Sequence, residues 1–202
     1  MKHVILLGDS IFDNAVYTAG GPAVIDQVNQ ALGSSGRATL LAVDGSKTQD
    51  VPVQMRKFPL DATHLILSVG GNDALAQLDV LRAPVGSIIE ALDALASMTA
   101  DFRVNYANLI NTLLIVGRPL TVCTIYDAIP GLPNGIKAGV ALFNDVILRE
   151  AIRHGQPVLD LRLVCTEFSD YSAQSPIEPS SQGGAKIAAA IVSQAHRSSL
   201  ST

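Results

Sequence analysis

Five short runs of consecutive apolar residues are spread along the 202-residue chain, and they constrain its fold more than any other feature. Hydrophobicity that is continuous rather than alternating is typical of strands covered on both faces, as in a parallel sheet. The runs predict strands over residues 3–7, 39–43, 64–69, 120–125 and 157–161.

Between these runs, apolar residues recur at helical spacing. This spacing predicts helices over roughly residues 22–32, 85–116, 138–154 and 182–196, the second of which is long enough for two helices. Strands that alternate with helices place helices on both faces of one sheet. We therefore expect an α/β protein with three layers, α/β/α, around a five-stranded parallel sheet. Residues 1–197 are expected to form a single domain, and the Ser-rich tail over 198–202 is expected to be frayed.

Composition excludes several classes of protein. Hydrophobic residues make up 48% of the chain and charged residues 16%, which is typical of a globular protein. The net charge is −4 and no basic cluster is present, so a nucleic-acid partner is not expected. Cys123 and Cys165 stand in apolar contexts without the spacing of a disulfide framework or a zinc site, and we expect buried free thiols.

The N-terminal sequence MKHVILLGDS does not resemble a targeting segment. It offers about five apolar residues before Gly8, fewer than the roughly 7–15 of a signal-peptide core. No apolar run approaches the ~20 residues of a membrane span. The cytoplasm is therefore the expected location, and no membrane span is expected. The sequence does not settle the oligomeric state.

Four loops with small, polar or acidic residues follow the predicted strands or precede the last helix. Ligands of such sheets bind outside the carboxyl ends of the strands, where these loops converge. The loops are Gly8-Asp9-Ser10, Asp44-Gly45-Ser46, Gly70-Gly71-Asn72-Asp73 and Ser175-Pro176-Ile177-Glu178-Pro179.

The first three loops contain the parts of a nucleophilic site. Ser10 would present a hydroxyl just beyond a buried strand, and the N–H groups of Ser10 and Gly45 together with the Asn72 side chain could form a three-donor oxyanion hole. Each feature also has a structural interpretation. Ser10 could cap a short helix, Asn72 and Asp73 could form a capping turn, and Gly45 could be an ordinary turn glycine.

Taken in this order, the loops resemble the signature blocks of the SGNH/GDSL hydrolase family: GDS, a glycine after the second strand, and GxND after the third. The resemblance extends to the glycine-containing helix start over residues 183–188. It implies a flavodoxin-like domain that hydrolyses esters through an acyl-serine, without a metal or organic cofactor. Ser10 would be the nucleophile, and Gly45 and Asn72 would stabilise the oxyanion.

The fourth loop departs from the family pattern D-x-x-H-P. Ser175 stands where the family has Asp, and Glu178 stands where it has the catalytic His, while Pro179 keeps the register. A serine hydroxyl needs a proton acceptor to become a nucleophile, and Glu178 can be one. A glutamate is a weaker base than imidazole unless burial raises its pKa. Unlike His, it needs no third residue to fix its tautomer, which fits the loss of the Asp.

Two other residues are alternative bases. Lys47 lies two residues after Gly45, and a desolvated amine can serve such a role. Asp170 lies in the same long segment as Glu178, although a carboxylate there more often braces a loop. The four histidines lie outside the four loops, His3 and His64 at the starts of strands and His154 and His196 on helices.

A few further polar residues lie near the predicted site. Asp13 and Asn14 are expected to start and cap the first helix, although either could reach a substrate. Tyr17, Tyr126 and Asp127 are expected at the pocket or in packing.

We expect an esterase or thioesterase acting on a small acyl ester, because only 4% of residues are aromatic and stacking platforms for polysaccharides are sparse. Two other classes remain open. Loss of the family histidine could have left a non-catalytic ligand-binding domain, or the loops of a scaffold protein could simply cap helices. Retention of both Ser10 and Asn72 favours catalysis over binding, since a binding domain has no need of that pair.

Overall fold

The structure is a computed structural model, and it describes residues 1–197. It contains one five-stranded parallel sheet with strands β1 (Lys2–Gly8), β2 (Gly36–Leu40), β3 (His64–Ser68), β4 (Leu120–Cys123) and β5 (Val158–Leu159). Their order across the sheet is β2-β1-β3-β4-β5. This confirms the predicted fold class. The frayed tail predicted over residues 198–202 lies outside the described residues.

The predicted helices are present, together with short helices that were not predicted. The α-helices are α1 (Val24–Leu32), α2 (Val51–Gln54), α3 (Gly71–Leu75), α4 (Leu78–Arg82), α5 (Ile88–Met98), α6 (Ala100–Ile115), α7 (Asn134–Arg153), α8 (Leu161–Val164) and α9 (Ser181–Arg197). Single 3₁₀ turns occupy Ala15–Tyr17, Gly33–Ser35, Thr48–Asp50, Met55–Lys57 and Phe168–Asp170. Among residues 1–197, no helix is long and apolar enough to cross a membrane.

Alternate residues of the central strands face opposite layers. Ile5 and Leu7 of β1 pack with α6 and α7 in one buried cluster. Val4 and Leu6 of the same strand pack with α1 and α9 in the other. Because β1 and β3 are covered on both faces, they carry the continuous apolar runs seen in the sequence.

The predicted second strand was wrong in its position. The apolar run 39–43 predicts a strand there, but β2 spans Gly36–Leu40 because its residues pair in register with β1 from Lys2↔Gly36 to Leu6↔Leu40. The ladder then breaks, since the N–H groups of Leu41 and Ala42 both donate to Leu6 O. Residues 41–43 therefore follow β1 as irregular chain.

Both cysteines are buried and free, as predicted. Burial raises the pKa of each thiol above its ordinary value. A raised thiol pKa leaves little thiolate, so neither cysteine has the character of a nucleophile.

Candidate active site

The site lies at the point where the strand order reverses. From β1 the chain passes to β2 on one side, and β3 then pairs with β1 on the other side. In open α/β sheets, the crevice outside the carboxyl ends of such strands is the usual ligand site. Ser10 follows β1, and Asn72 follows β3 in the first turn of α3. These two residues therefore flank the crevice.

A tight turn over residues 9–13 presents Ser10. The turn requires glycine at position 8, where φ is +126° and a Cβ would lie 1.7 Å from Ser68 O. Asp9 closes the turn, since its Oδ1 accepts from Ile11 N at 3.1 Å. No helix begins here, so Ser10 is not a helix cap. Its own N–H makes no hydrogen bond to the rest of residues 1–197.

The loop around Gly45 is held by its neighbours rather than by its own packing. Gly45 has φ of +77° with open space around it, and Asp44 N donates to Asp13 Oδ2 at 2.9 Å. The Tyr17 hydroxyl donates to Asp44 Oδ2 at 2.8 Å. The Gly45 N–H has no acceptor within the described chain. Gly45 is exposed at the rim and does not line the cavity described below.

Asn72 and Asp73 reach across to this loop and do not cap their own helix. Asn72 Nδ2 donates to Ser46 O at 3.0 Å, which leaves the second hydrogen of its amide for another acceptor. Asp73 Oδ2 accepts from both N and Oγ1 of Thr48, each at 3.0 Å. The pair therefore fixes the loop after β2 against the loop after β3.

Glu178 faces Ser10 from the last loop. Its backbone is fixed on both sides, because Glu178 N donates to Ser175 O at 2.9 Å and Ser172 N donates to Glu178 O at 2.8 Å. The residue is only 6% exposed, and its Oε2 is buried without a hydrogen-bond partner among residues 1–197. A carboxylate oxygen in this state is available to accept a proton or a hydrogen bond.

The pKa of Glu178 is raised above the ordinary glutamate value. Burial is the largest cause and raises it, the neighbouring Ser10 hydroxyl lowers it, and the negative charge of Asp44 raises it. Ser10 and Glu178 line the same cavity, so the hydroxyl and the carboxylate lie near each other. A raised pKa makes this glutamate a stronger base than a solvated one.

Asp9 is a second buried carboxyl group at the site, to which sequence reasoning gave only a bracing role. Burial raises its pKa to about 8, the hydrogen bond from Ile11 N opposes this, and the charges of Glu178, Asp73 and Asp44 add to it. Strongly shifted carboxyl groups concentrate at functional sites. The signal in the sequence was its position inside the GDS tripeptide.

The two alternative bases, Asp170 and Lys47, do not line the cavity that contains Ser10. Asp170 is fully buried and pairs with Lys186, with Nζ 2.7 Å from Oδ1, so it braces α9. Lys47 does not line the cavity, and its backbone N–H donates to Asp50 Oδ2 at the next turn. None of the four histidines lines the cavity; His3, for example, contacts Asp61 at the opposite end of the sheet.

Of the remaining polar candidates, Tyr126 lines the cavity, and its hydroxyl donates to Ile177 O at 2.7 Å. Tyr17 and Asp127 do not line it. Asn14 has the expected capping role, because its Oδ1 accepts from the first N–H of α1 at 2.9 Å.

One cavity joins Ser10, Asn72 and Glu178. Beyond these polar groups its walls are apolar. One part of the lining consists of Leu75, Leu78 and Leu81 from α3 and α4, and another part consists of Ile129, Leu132 and Ile136. Val69, Met98, Ile125 and Phe143 also line the cavity. Sequence reasoning missed this apolar half, although the three-residue spacing of the leucines was a visible signal.

No group of three or more histidine, cysteine, aspartate and glutamate side chains is placed to hold a metal ion within residues 1–197. The chemistry available at the site is that of a hydroxyl, two buried carboxyl groups and several N–H donors.

The fold and the site define a three-layer α/β protein with a serine at the carboxyl end of its first strand. A family model described as the GDSL-like lipase/acylhydrolase family matches residues 6–186. The chain therefore belongs to this family, which confirms the predicted SGNH/GDSL membership and makes the protein an SGNH-type esterase that hydrolyses ester substrates.

Solved structures support the fold. An acetyl xylan esterase superposes with a TM-score of 0.69 at 18% identity, covering 95% of this chain and 98% of its own. The lipase/acylhydrolase from Enterococcus faecalis gives 0.67 at 20% identity, covering 98% and 97%. A psychrotrophic esterase from Pseudoalteromonas sp., inhibited by monoethylphosphonate, gives 0.69 at 11% identity and covers 100% of both chains. At these identities the similarity establishes the fold alone. A search of curated proteins found no significant match.

Proposed function

We propose that residues 1–197 form one hydrolase domain that cleaves a carboxylic ester or thioester through an acyl-serine on Ser10, with Glu178 as the base. The observation that carries this proposal is the buried Glu178 carboxylate on the same cavity as Ser10 and Asn72, with Oε2 left without a hydrogen-bond partner among residues 1–197. A glutamate takes the place of the histidine that the family pattern has there.

In the first half-reaction, Glu178 accepts the proton of Ser10 Oγ while this oxygen attacks the carbonyl carbon. The developing oxyanion receives hydrogen bonds from Ser10 N–H, Gly45 N–H and Asn72 Nδ2. Neither backbone N–H group has an acceptor among residues 1–197, and Asn72 has one amide hydrogen left, so all three donors are available. The bond to the leaving oxygen or sulfur then breaks, and Glu178 returns the proton to it.

In the second half-reaction, water attacks the acyl-serine and gives a proton to Glu178. Collapse of this intermediate releases the carboxylic acid, and the proton returns to Ser10 Oγ. A carboxylate has no tautomer to be fixed, so Ser175 in place of the family's Asp does not break this cycle.

Reaction with a fluorophosphonate, followed by mass spectrometry of the intact protein and its peptides, tests the nucleophile. We expect one adduct on Ser10 and none in Ser10→Ala. The phosphonate inhibition of the Pseudoalteromonas esterase supports the choice of probe. A protein that stays unlabelled and hydrolyses no activated ester, yet binds ester or acid ligands, would favour the ligand-binding alternative.

Restoring the family residues tests the base independently. Glu178→His supplies an imidazole without its orienting partner, and addition of Ser175→Asp supplies that partner. We expect the double variant to exceed Glu178→His in kcat, with a pH midpoint near ~6.5. Equal activity of the two variants would contradict the proposed placement of these side chains.

A further inference from the structure

We propose that the apolar cavity beside Ser10 binds the acyl chain of the substrate, so that the enzyme prefers aliphatic acyl esters longer than acetate, and that Gly139 determines how deep the chain reaches. This inference rests on the proposed function of Ser10, and it replaces the small acyl ester expected from the sequence with a longer one.

The distribution of polar groups in the cavity indicates that it suits an alkyl chain better than a polar group. The charged side chains that line the cavity are Asp9 and Glu178, and both lie at Ser10. Most of the other lining side chains are apolar leucine, isoleucine, valine, methionine and phenylalanine. A sugar or another polar alcohol would lose hydrogen bonds to water there without replacement. An alkyl chain would gain from burial instead.

The order of bond breaking decides which part of the ester occupies the cavity. The alcohol has to leave before water attacks, whereas the acyl group stays bound to Ser10 through both steps. An apolar cavity suits the part that stays. Its lining includes exposed side chains, Leu75 at 40% and Ile177 at 36%, and the buried Met98 and Phe143, so the acyl chain would extend towards the buried part while the alcohol and water exchange on the exposed part.

Gly139 of α7 closes the cavity from one side. A Cβ at this position would lie 3.1 Å from Leu81 Cδ1 and 3.6 Å from Met98 Cε, so any side chain here would compete with cavity space or displace Leu81. One turn earlier on the same helix, Gly135 is exposed, with nothing within 4 Å of a built Cβ. The helix therefore offers a matched pair of glycines, one inside the cavity and one outside.

Two series of esters separate the acyl chain from the alcohol. With p-nitrophenol as the constant leaving group, kcat/KM is expected to rise about fourfold for each methylene that enters the cavity. We expect p-nitrophenyl octanoate to exceed the acetate at least tenfold. With a constant acetyl group, octyl acetate is expected to match ethyl acetate within about threefold. Equal rates for the two p-nitrophenyl esters, or a chain-length effect confined to the alcohol, would overturn the proposal.

Variants of α7 test whether Gly139 determines how far the acyl chain enters the cavity. Gly139→Leu is expected to lower the octanoate-to-acetate ratio of kcat/KM at least tenfold, and Gly135→Leu is expected to leave the ratio unchanged. Addition of Leu81→Ala to Gly139→Leu returns space to the cavity and is expected to recover most of the ratio. Equal ratios in the parent and in folded Gly139→Leu would exclude Gly139 as the determinant.

A binding measurement separates this inference from the proposed catalysis. Calorimetry on Ser10→Ala is expected to show octanoate binding at least tenfold tighter than butyrate, and Gly139→Leu in that background is expected to remove the difference. If the parent hydrolyses no ester and takes no fluorophosphonate, but octanoate binds in this way, the catalytic proposal fails and the cavity assignment stands. If the parent hydrolyses esters and is labelled on Ser10 but shows no preference for octanoate, the catalytic proposal stands and the cavity assignment fails.

Discussion

At the scale of single residues, the proposed reaction at Ser10 depends on how burial changes the acidity of Glu178. Because the pKa of Glu178 is raised, the proposed base becomes active at a higher pH than a solvated glutamate would. We expect kcat to rise with pH to a midpoint above the ordinary glutamate value of 4.5. Glu178→Gln keeps the shape but cannot accept the proton, so it should lose most turnover and this pH step. Rates against one p-nitrophenyl ester between pH 4 and pH 9 check both statements.

The control for this variant is Glu167→Gln, which removes an exposed carboxylate from the same segment. It should keep parental kcat and the parental pH profile. Parental activity in Glu178→Gln would exclude the dyad.

Asp9 ties stability to pH. Its pKa is raised to about 8 in the folded protein, above the value of about 4 for an unfolded aspartate, so between these values the folded state holds the proton more firmly. The contribution of Asp9 to stability is therefore present at low pH and is lost as pH rises, with a slope of at most about 1.4 kcal/mol per pH unit. Asp9→Asn retains an oxygen for Ile11 N and should remove this slope. Urea unfolding at pH 5, 6, 7 and 8 measures it, and an identical pH dependence in the two proteins would contradict the assignment.

In the proposed mechanism, Asn72 contributes the side-chain donor of the oxyanion hole. Asn72→Ala should lower kcat by roughly 10²–10³ with a smaller change in KM, because the donor acts on charge that develops in the transition state. The variant also loses the bond to Ser46 O. Asp73→Asn is the control, since it alters the neighbouring loop contact at Thr48 without touching the donor. Similar losses of kcat in both variants would indicate loop positioning instead of oxyanion binding.

At the scale of elements, the segment between β5 and α9 that carries Glu178 is held by a contact with Tyr126, which follows β4. The Tyr126 hydroxyl donates to Ile177 O, next to Glu178. Tyr126→Phe should cost about 1 kcal/mol of stability and lower kcat, because the loop that carries the proposed base, Glu178, loses this hydrogen bond. Tyr171→Phe removes a comparable bond, to Cys165 O at 2.8 Å, on a residue that does not line the cavity. Urea denaturation and ester kinetics on both variants should show similar stability losses and a loss of kcat confined to Tyr126→Phe.

Elements of the fold could be predicted from the sequence where hydrophobic periodicity had room to appear. The long helices α6, α7 and α9 and the buried strands β1 and β3 lie where the pattern places them. The edge strand β2 could not be positioned in this way, because its limits are set by register with β1 rather than by its own apolar run. Helices of four residues, such as α2 and α8, are too short to show a helical period.

For the site, too, local sequence patterns predicted some features, and contacts between distant segments determined the others. Ser10 and Asn72 could be placed because the carboxyl-end rule needs only the ends of strands, which motifs mark clearly. Two features of the site depend on contacts between segments distant in the chain, which no local sequence pattern records. They are the free N–H of Gly45 and the burial of Glu178 Oε2. The leucine spacing over residues 75–81 could have marked one part of the apolar cavity. The other part, residues 129–136, meets these leucines only in the folded chain, so the cavity as a whole escaped prediction.

At the scale of the whole molecule, the site is built from residues near both ends of the described chain, because it lies at the centre of the sheet. Asn14 Nδ2 donates to Pro179 O across 165 residues, close to where Ser10 meets Glu178. Contacts of such separation close large loops and tend to form late in folding. After dilution from urea, circular dichroism should therefore recover before esterase activity, and the two signals should differ in rate. Simultaneous recovery would mean that the first and last segments meet early, and that the site assembles along with the sheet.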